Sequence, residues 1–145
     1  MAEEPLTEQL LAELLARPDV ESVIGANGLV ERDLPGYLAE LLGHRGLKQS
    51  KVVQAAGLSP TYGYQIFKGE RRPSREKLLA IAFALGATLR ETGRILQAGG
   101  AAALYAKNRR DAIIIFCLDR GYSLADANTA LYEHGEQPID SAEVL

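Results

Sequence analysis

Tryptophan is missing from this 145-residue chain, cysteine occurs once, at Cys117, and histidine twice, at His44 and His134. A single cysteine excludes an intramolecular disulfide and a cysteine-based metal cluster, and it fits a reducing compartment. Cys117 lies inside an apolar run and reads as a buried core residue. Both histidines stand near expected helix ends, where the helix dipole favours a cation, and read as neither ligands nor bases. No Ser/His/Asp or Cys/His constellation, phosphate-cradling loop or carboxylate pair in a catalytic setting is present. The sequence therefore points away from an enzyme and implies no metal and no cofactor.

Long apolar runs are missing as well. The longest, Leu78 to Leu85, and the run Ala112 to Leu118 both fall far short of the ~20 residues that span a bilayer. The chain opens MAEEPLTEQL, acidic where a secretory signal carries positive charge. The expectation is a cytoplasmic protein that is neither exported nor inserted in a membrane.

What is present suits one compact domain with extensions: 47% of the residues are hydrophobic and 24% charged. The net charge of −3 hides a strong asymmetry. Residues 1–33 hold 2 basic and 8 acidic side chains, residues 34–97 hold 10 and 4, and residues 98–145 hold 4 and 7. A basic middle between acidic flanks is the footprint of a chain whose centre alone approaches phosphates. The plainer explanation is a solvated charged face that happens to be uneven.

No segment alternates with period two for long enough to form a sheet, so the fold is expected to be all-α. Leu6, Leu10, Leu11, Leu14 and Leu15 mark an amphipathic N-terminal helix ending near Arg17-Pro18. GANGLVERDLPG, with Gly25, Asn27-Gly28 and Pro35-Gly36, reads as a connector, and Val20 to Ile24 as a helix end or loop. Beyond it the spacing predicts helices over about 35–44, 49–56, 60–68, a stretch capped by Ser74, and one started by the capping box Thr88-Leu89-Arg90-Glu91. Ser59-Pro60 supplies an N-cap with proline at the first helical position. Two further helices, after Asn108 and after Ser123, form an αα-hairpin, and residues from Glu136 onward read as a loose acidic tail.

The most informative stretch is GLSPTYGYQIFKGERRP, residues 57–73. Together with Leu47 and Gln49, Ala55-Ala56 before the turn, Ile66 and Gly69 at the end of the third helix, and LLAIAFALGATLRE after Pro73, it gives a specific pattern. Residues 34–97 resemble the Cro and lambda-repressor type of helix-turn-helix domain, the XRE family of bacterial and phage regulators. The resemblance covers a little under half of the chain. It implies a five-helix lambda-repressor-like DNA-binding domain, here with an N-terminal helix and connector at 1–33 and a C-terminal hairpin and short tail at 98–145.

The resemblance also implies a partner and a geometry: double-stranded DNA, with the third helix of the domain in the major groove and its N-terminal residues toward the base edges. Carried over residue by residue, the base-facing positions are Pro60, Thr61, Tyr64 and Gln65. Pro60 has no side-chain donor, which leaves Thr61 for a thymine methyl or an acceptor, Tyr64 for a hydroxyl contact, and Gln65 to read adenine through its amide. Gln49, Tyr62, Lys68, Arg71, Arg72 and Arg75 fall at phosphate-contacting positions, which give affinity and orientation without reading sequence. A homodimer on a pseudo-palindrome is expected, because one such domain touches few base pairs.

Three residues depart from the family pattern. Pro60 replaces a frequent polar base reader. Gly63 stands where relatives pack a β-branched residue, so the third helix is expected to lose buried area and to carry about 1 kcal/mol of helix cost. Phe67 and Leu42 replace a charged pair with apolar residues, which on this reading pack in the core. These departures, the acidic flanks and the tyrosines keep a second function class open: an adaptor that uses the third helix or the hairpin to bind another protein. The hairpin itself, with AIIIFCL, either dimerises or meets a partner, or packs onto the preceding helices of its own chain.

Overall fold

The computed structural model describes residues 7–24 and 33–140. Most of the expected connector, residues 25–32, and the last five residues lie outside them. Every secondary-structure element among the described residues is a helix: α1 (Thr7–Leu15), α2 (Val20–Ile24), α3 (Leu34–Arg45), α4 (Gln49–Ala55), α5 (Pro60–Lys68), α6 (Arg75–Leu85), α7 (Leu89–Ala98), α8 (Arg109–Asp119) and α9 (Leu124–Glu133). They fall into two compact units, residues 1–31 and residues 32–145.

In the first unit the leucines of α1 fall at helical spacing, and Leu10, Leu11, Leu14 and Leu15 are exposed. The Asp19 carboxylate accepts from the Ser22 amide at 2.7 Å, which starts α2. The Val20 to Ile24 segment is thus a short helix.

In the second unit the helix starts follow from local chemistry. Asp33 accepts from the Gly36 amide at 3.0 Å, so Pro35-Gly36 forms the first turn of α3 and not part of a connector. The proline fits because its missing N–H is one that a first turn leaves unpaired in any case. Ser59, Ser74, Asn108 and Ser123 cap α5, α6, α8 and α9 in the same way, and Thr88 with Glu91 forms a reciprocal capping box on α7.

The core centres on α6. Lys77 through Phe83 are all buried, so α6 is covered on every side, by α4, α7 and α9 among others. Leu38 and Leu41 of α3, Val52 of α4, Ile66 of α5, and Ile95 and Leu96 of α7 complete the domain interior. Leu42 and Phe67 are half-buried against this same core. Ile114, Cys117 and Leu118 of α8, with Ala127 and Leu131 of α9, join it without a break. The hairpin therefore packs onto its own chain, and the boundary expected at residues 97/98 separates helices that share one core. Burial raises the Cys117 thiol above its ordinary range, as an inert core residue requires.

Ion pairs tie distant parts of this unit together. Arg45 of α3 holds Glu91 of α7, Arg75 of α6 holds Asp111 of α8, and Arg110 of α8 holds Glu76 of α6. The segment read as a loose tail from Glu136 is docked as far as it is described. Ile139 is buried, its amide donates to Asn128 Oδ1 at 2.7 Å, and its carbonyl accepts from Asn128 Nδ2 at 3.2 Å. The carbonyl of Gln137 accepts from Arg110 Nε at 2.8 Å. A lone isoleucine among polar residues was too weak an apolar signal to reveal this anchor.

Candidate nucleic-acid interface

The turn between α4 and α5 is fixed from both sides. Leu58 is buried and donates its amide to the Val53 carbonyl at 3.1 Å, while Ser59 Oγ accepts from the Tyr62 amide at 3.2 Å. Pro60 then begins α5 at the position where proline suits a helix. The two helices approach closely at one point. A Cβ on Gly63 would lie 2.5 Å from Val53 Cγ2, well inside the ~3.5–4 Å optimum for carbon contacts. Gly63 is buried, and the branched side chain of Val53 occupies the space. The volume expected to be lost from α5 at Gly63 is thus supplied from α4.

At the exit, Gly69 takes φ of 83°, and the Glu70 amide donates to the Gln65 carbonyl at 2.9 Å. A side-chain-bearing residue would be strained there. This reversal brings Arg71 back along the helix, and its location decides what α5 presents to solvent.

Thr61, Tyr64, Gln65 and Lys68 recur at three- and four-residue steps and so share one face of α5. Thr61 and Lys68 are exposed, Tyr64 is 50% exposed, and Gln65 is half-buried. Lys68 Nζ lies 5.0 Å from the centre of the Tyr64 ring, and Tyr64 raises the ammonium above its ordinary range. The neighbouring strip is more tightly organised. Arg71 Cζ stands 5.0 Å from the Tyr62 ring centre, and Arg71 Nε donates to Gln65 Oε1 at 3.0 Å. Beneath them Lys77, buried on α6, places Nζ 5.3 Å from the same Tyr62 ring. Such cation–π contacts hold the ring and cations in register.

The positions expected at phosphates separate into two groups. Gln49 is the first residue of α4 and half-buried; Lys68, Arg71 and Arg72 are exposed around the C-terminal end of α5, and Tyr62 lies half-buried beside them. None of Lys68, Arg71 and Arg72 makes an ion pair with a carboxylate among the described residues. Arg75 is different. Its guanidinium bonds Asp111 Oδ2 at 2.8 Å and Oδ1 at 3.2 Å, and it donates to the carbonyls of Ala102 at 3.0 Å and Ala103 at 3.3 Å. With four of its five N–H groups engaged, Arg75 ties α6 to α8 and to the segment that precedes α8.

Sequence reasoning missed Val53, Lys77 and Asp111. Val53 pairs with Gly63 across two helices, which no local pattern records. Lys77 follows Ser74 by three residues and looks like an ordinary first-turn cation until α5 lies over it. Asp111 follows the Asn108 cap, so its carboxylate passes for a dipole partner. Burial would raise its carboxyl, yet the Arg75 guanidinium and the Tyr105 amide at 3.0 Å outweigh that and hold it below the ordinary range.

Residues 33–95 match a family model described as a helix-turn-helix domain. With α4 and α5 joined by the capped turn just described, this segment is a helix-turn-helix domain within an all-helical unit. No curated protein and no solved structure matches the chain. Among the described residues, no helix is long and apolar enough to cross a membrane, and no group of three or more His, Cys, Asp or Glu is placed to hold a metal ion.

Proposed function

We propose that the chain is a sequence-specific DNA-binding transcriptional regulator of the XRE type, a cytoplasmic bacterial or phage protein that lays α5 in the major groove. One observation carries the reading. The face of α5 with Thr61, Tyr64, Gln65 and Lys68 is open to solvent, and the cations at its exit, Lys68, Arg71 and Arg72, have no carboxylate partner among the described residues. Cations that form no ion pair among the described residues, beside an exposed α5 face, suit phosphates, and Thr61, Tyr64 and Gln65 face the bases.

The protein acts as a homodimer through the outer face of the hairpin. A groove of about 480 Å³ there is lined by Ile113, Phe116, Tyr122 and Ala130, and Phe116 remains 48% exposed. Two domains on a pseudo-palindrome multiply an affinity that one domain lacks. The same exposed groove favours the second reading, an adaptor whose hairpin binds a different protein.

Binding to random duplex DNA as salt is raised separates the two. A regulator binds at low salt, with affinity falling by about 10³-fold or more between 50 mM and 200 mM if six phosphates are contacted. Negligible binding at the lowest salt overturns the regulator reading and leaves the adaptor.

A further inference from the structure

Gln65 has been read so far as an adenine contact, which requires its amide to accept from adenine N6 while donating to N7. The structure gives that oxygen another occupation. Arg71 Nε donates to Gln65 Oε1 at 3.0 Å, and because arginine has no acceptor, the amide oxygen and not the nitrogen must face it. The contact is built from three directions. Gly69 turns the chain back so that Arg71 lies over the helix, Tyr62 stands three residues before Gln65 on the same strip, and its ring holds the guanidinium at 5.0 Å. Lys77 fixes the same ring from below.

We propose that Arg71 is a positioning residue for base readout: it turns the Gln65 amide so that its NH2 group points outward, and the pair selects guanine over adenine. This rests on the DNA-binding reading of α5. The chemical reason is complementarity at the base edge. Guanine presents two acceptors, N7 and O6, to a group that offers two N–H donors. Adenine presents N6–H as well, and that donor would meet an oxygen already engaged by a cation. The positive guanidinium beside the amide opposes any further N–H at that point and favours the electron-rich guanine edge. Arg71 thereby differs from Arg72, whose neighbouring charge carries no base preference.

The test is selection of bound sites from randomised duplexes with the full chain, followed by affinities for all four bases at each enriched position. The pair read by Gln65 is the one that loses its preference in Gln65→Ala. At that pair the wild type is expected to favour guanine over adenine by at least about tenfold. Arg71→Ala is expected to abolish that preference or move it to adenine, while Arg72→Ala weakens every sequence alike. Adenine favoured by the wild type, an enriched site with no Gln65-dependent pair, or Arg71→Ala weakening all four bases equally would each overturn the inference and leave the regulator reading standing. No enrichment, together with negligible binding at low salt, overturns both.

Discussion

The cations of the second unit do two kinds of work, and the difference lies in what faces them. Between helices, Arg45, Arg75 and Arg110 each find a carboxylate and tie α3 to α7 and α6 to α8. Around α5, Lys68 and Arg71 lie against tyrosine rings, and with Arg72 they keep their charge turned outward. A ring fixes a cation's position without neutralising it, whereas a carboxylate does both. The surplus of basic residues over 34–97 therefore overstates what DNA would meet, because part of it is spent inside the fold.

Breaking the internal side is expected to give the largest effect. Arg75→Met leaves Asp111, nearly buried, without its main partner, and should cost about 3 kcal/mol in urea unfolding. Below the transition, DNA affinity should hold. Unchanged stability with weakened DNA binding would return Arg75 to the phosphate group and erase the contrast.

Next comes the close approach of α4 and α5 at Gly63. Gly63→Val should destabilise by about 1–3 kcal/mol through overpacking against Val53. Adding Val53→Ala should recover at least about half of that, since the two sites share one space. Strict additivity of the two costs in thermal melts would show that α4 and α5 are not in register there.

Acid should then act on the paired side alone. The bond from Arg45, aided by the capping contacts at Thr88, lowers the Glu91 carboxyl from 4.5 to about 2. A carboxyl lowered by folding stabilises fully above its unfolded value and loses that contribution as pH falls through the folded one. About 1–2 kcal/mol should therefore disappear between about pH 5 and pH 2 in the wild type, and Glu91→Gln should lack this part of the slope. Parallel curves for the two proteins would remove the Arg45–Glu91 pair from the account.

The smallest effect belongs to the open side. Arg72→Ala should weaken binding to every duplex alike and lower the slope of log affinity against log salt by about 1, with no change in melting temperature beyond about 0.5 kcal/mol in stability. A change in base preference would instead give Arg72 a reading role.

Helix existence and ends were legible in the sequence wherever the signal was local. Ser59, Ser74, Thr88 with Glu91, Asn108 and Ser123 announced their helices because each cap works within three residues. Position and pairing were not legible where they depend on a residue far along the chain. Arg75 looked like Arg71 and Arg72 until Asp111 came within 3.2 Å of it, and Gly63 looked like a loss until Val53 filled the gap. The Gln65–Arg71 bond lies between these cases. Six residues separate the pair, and only the reversal at Gly69 brings them together.

The contrast between the two sides is tested most directly by amide chemical shifts of the full chain as a short duplex is added at low salt. Residues 49–50 and 60–72 are expected to shift strongly, while α8, α9 and the Asp111 neighbourhood stay in place. Shifts centred on the hairpin, or none at the ends of α4 and α5, would contradict the account.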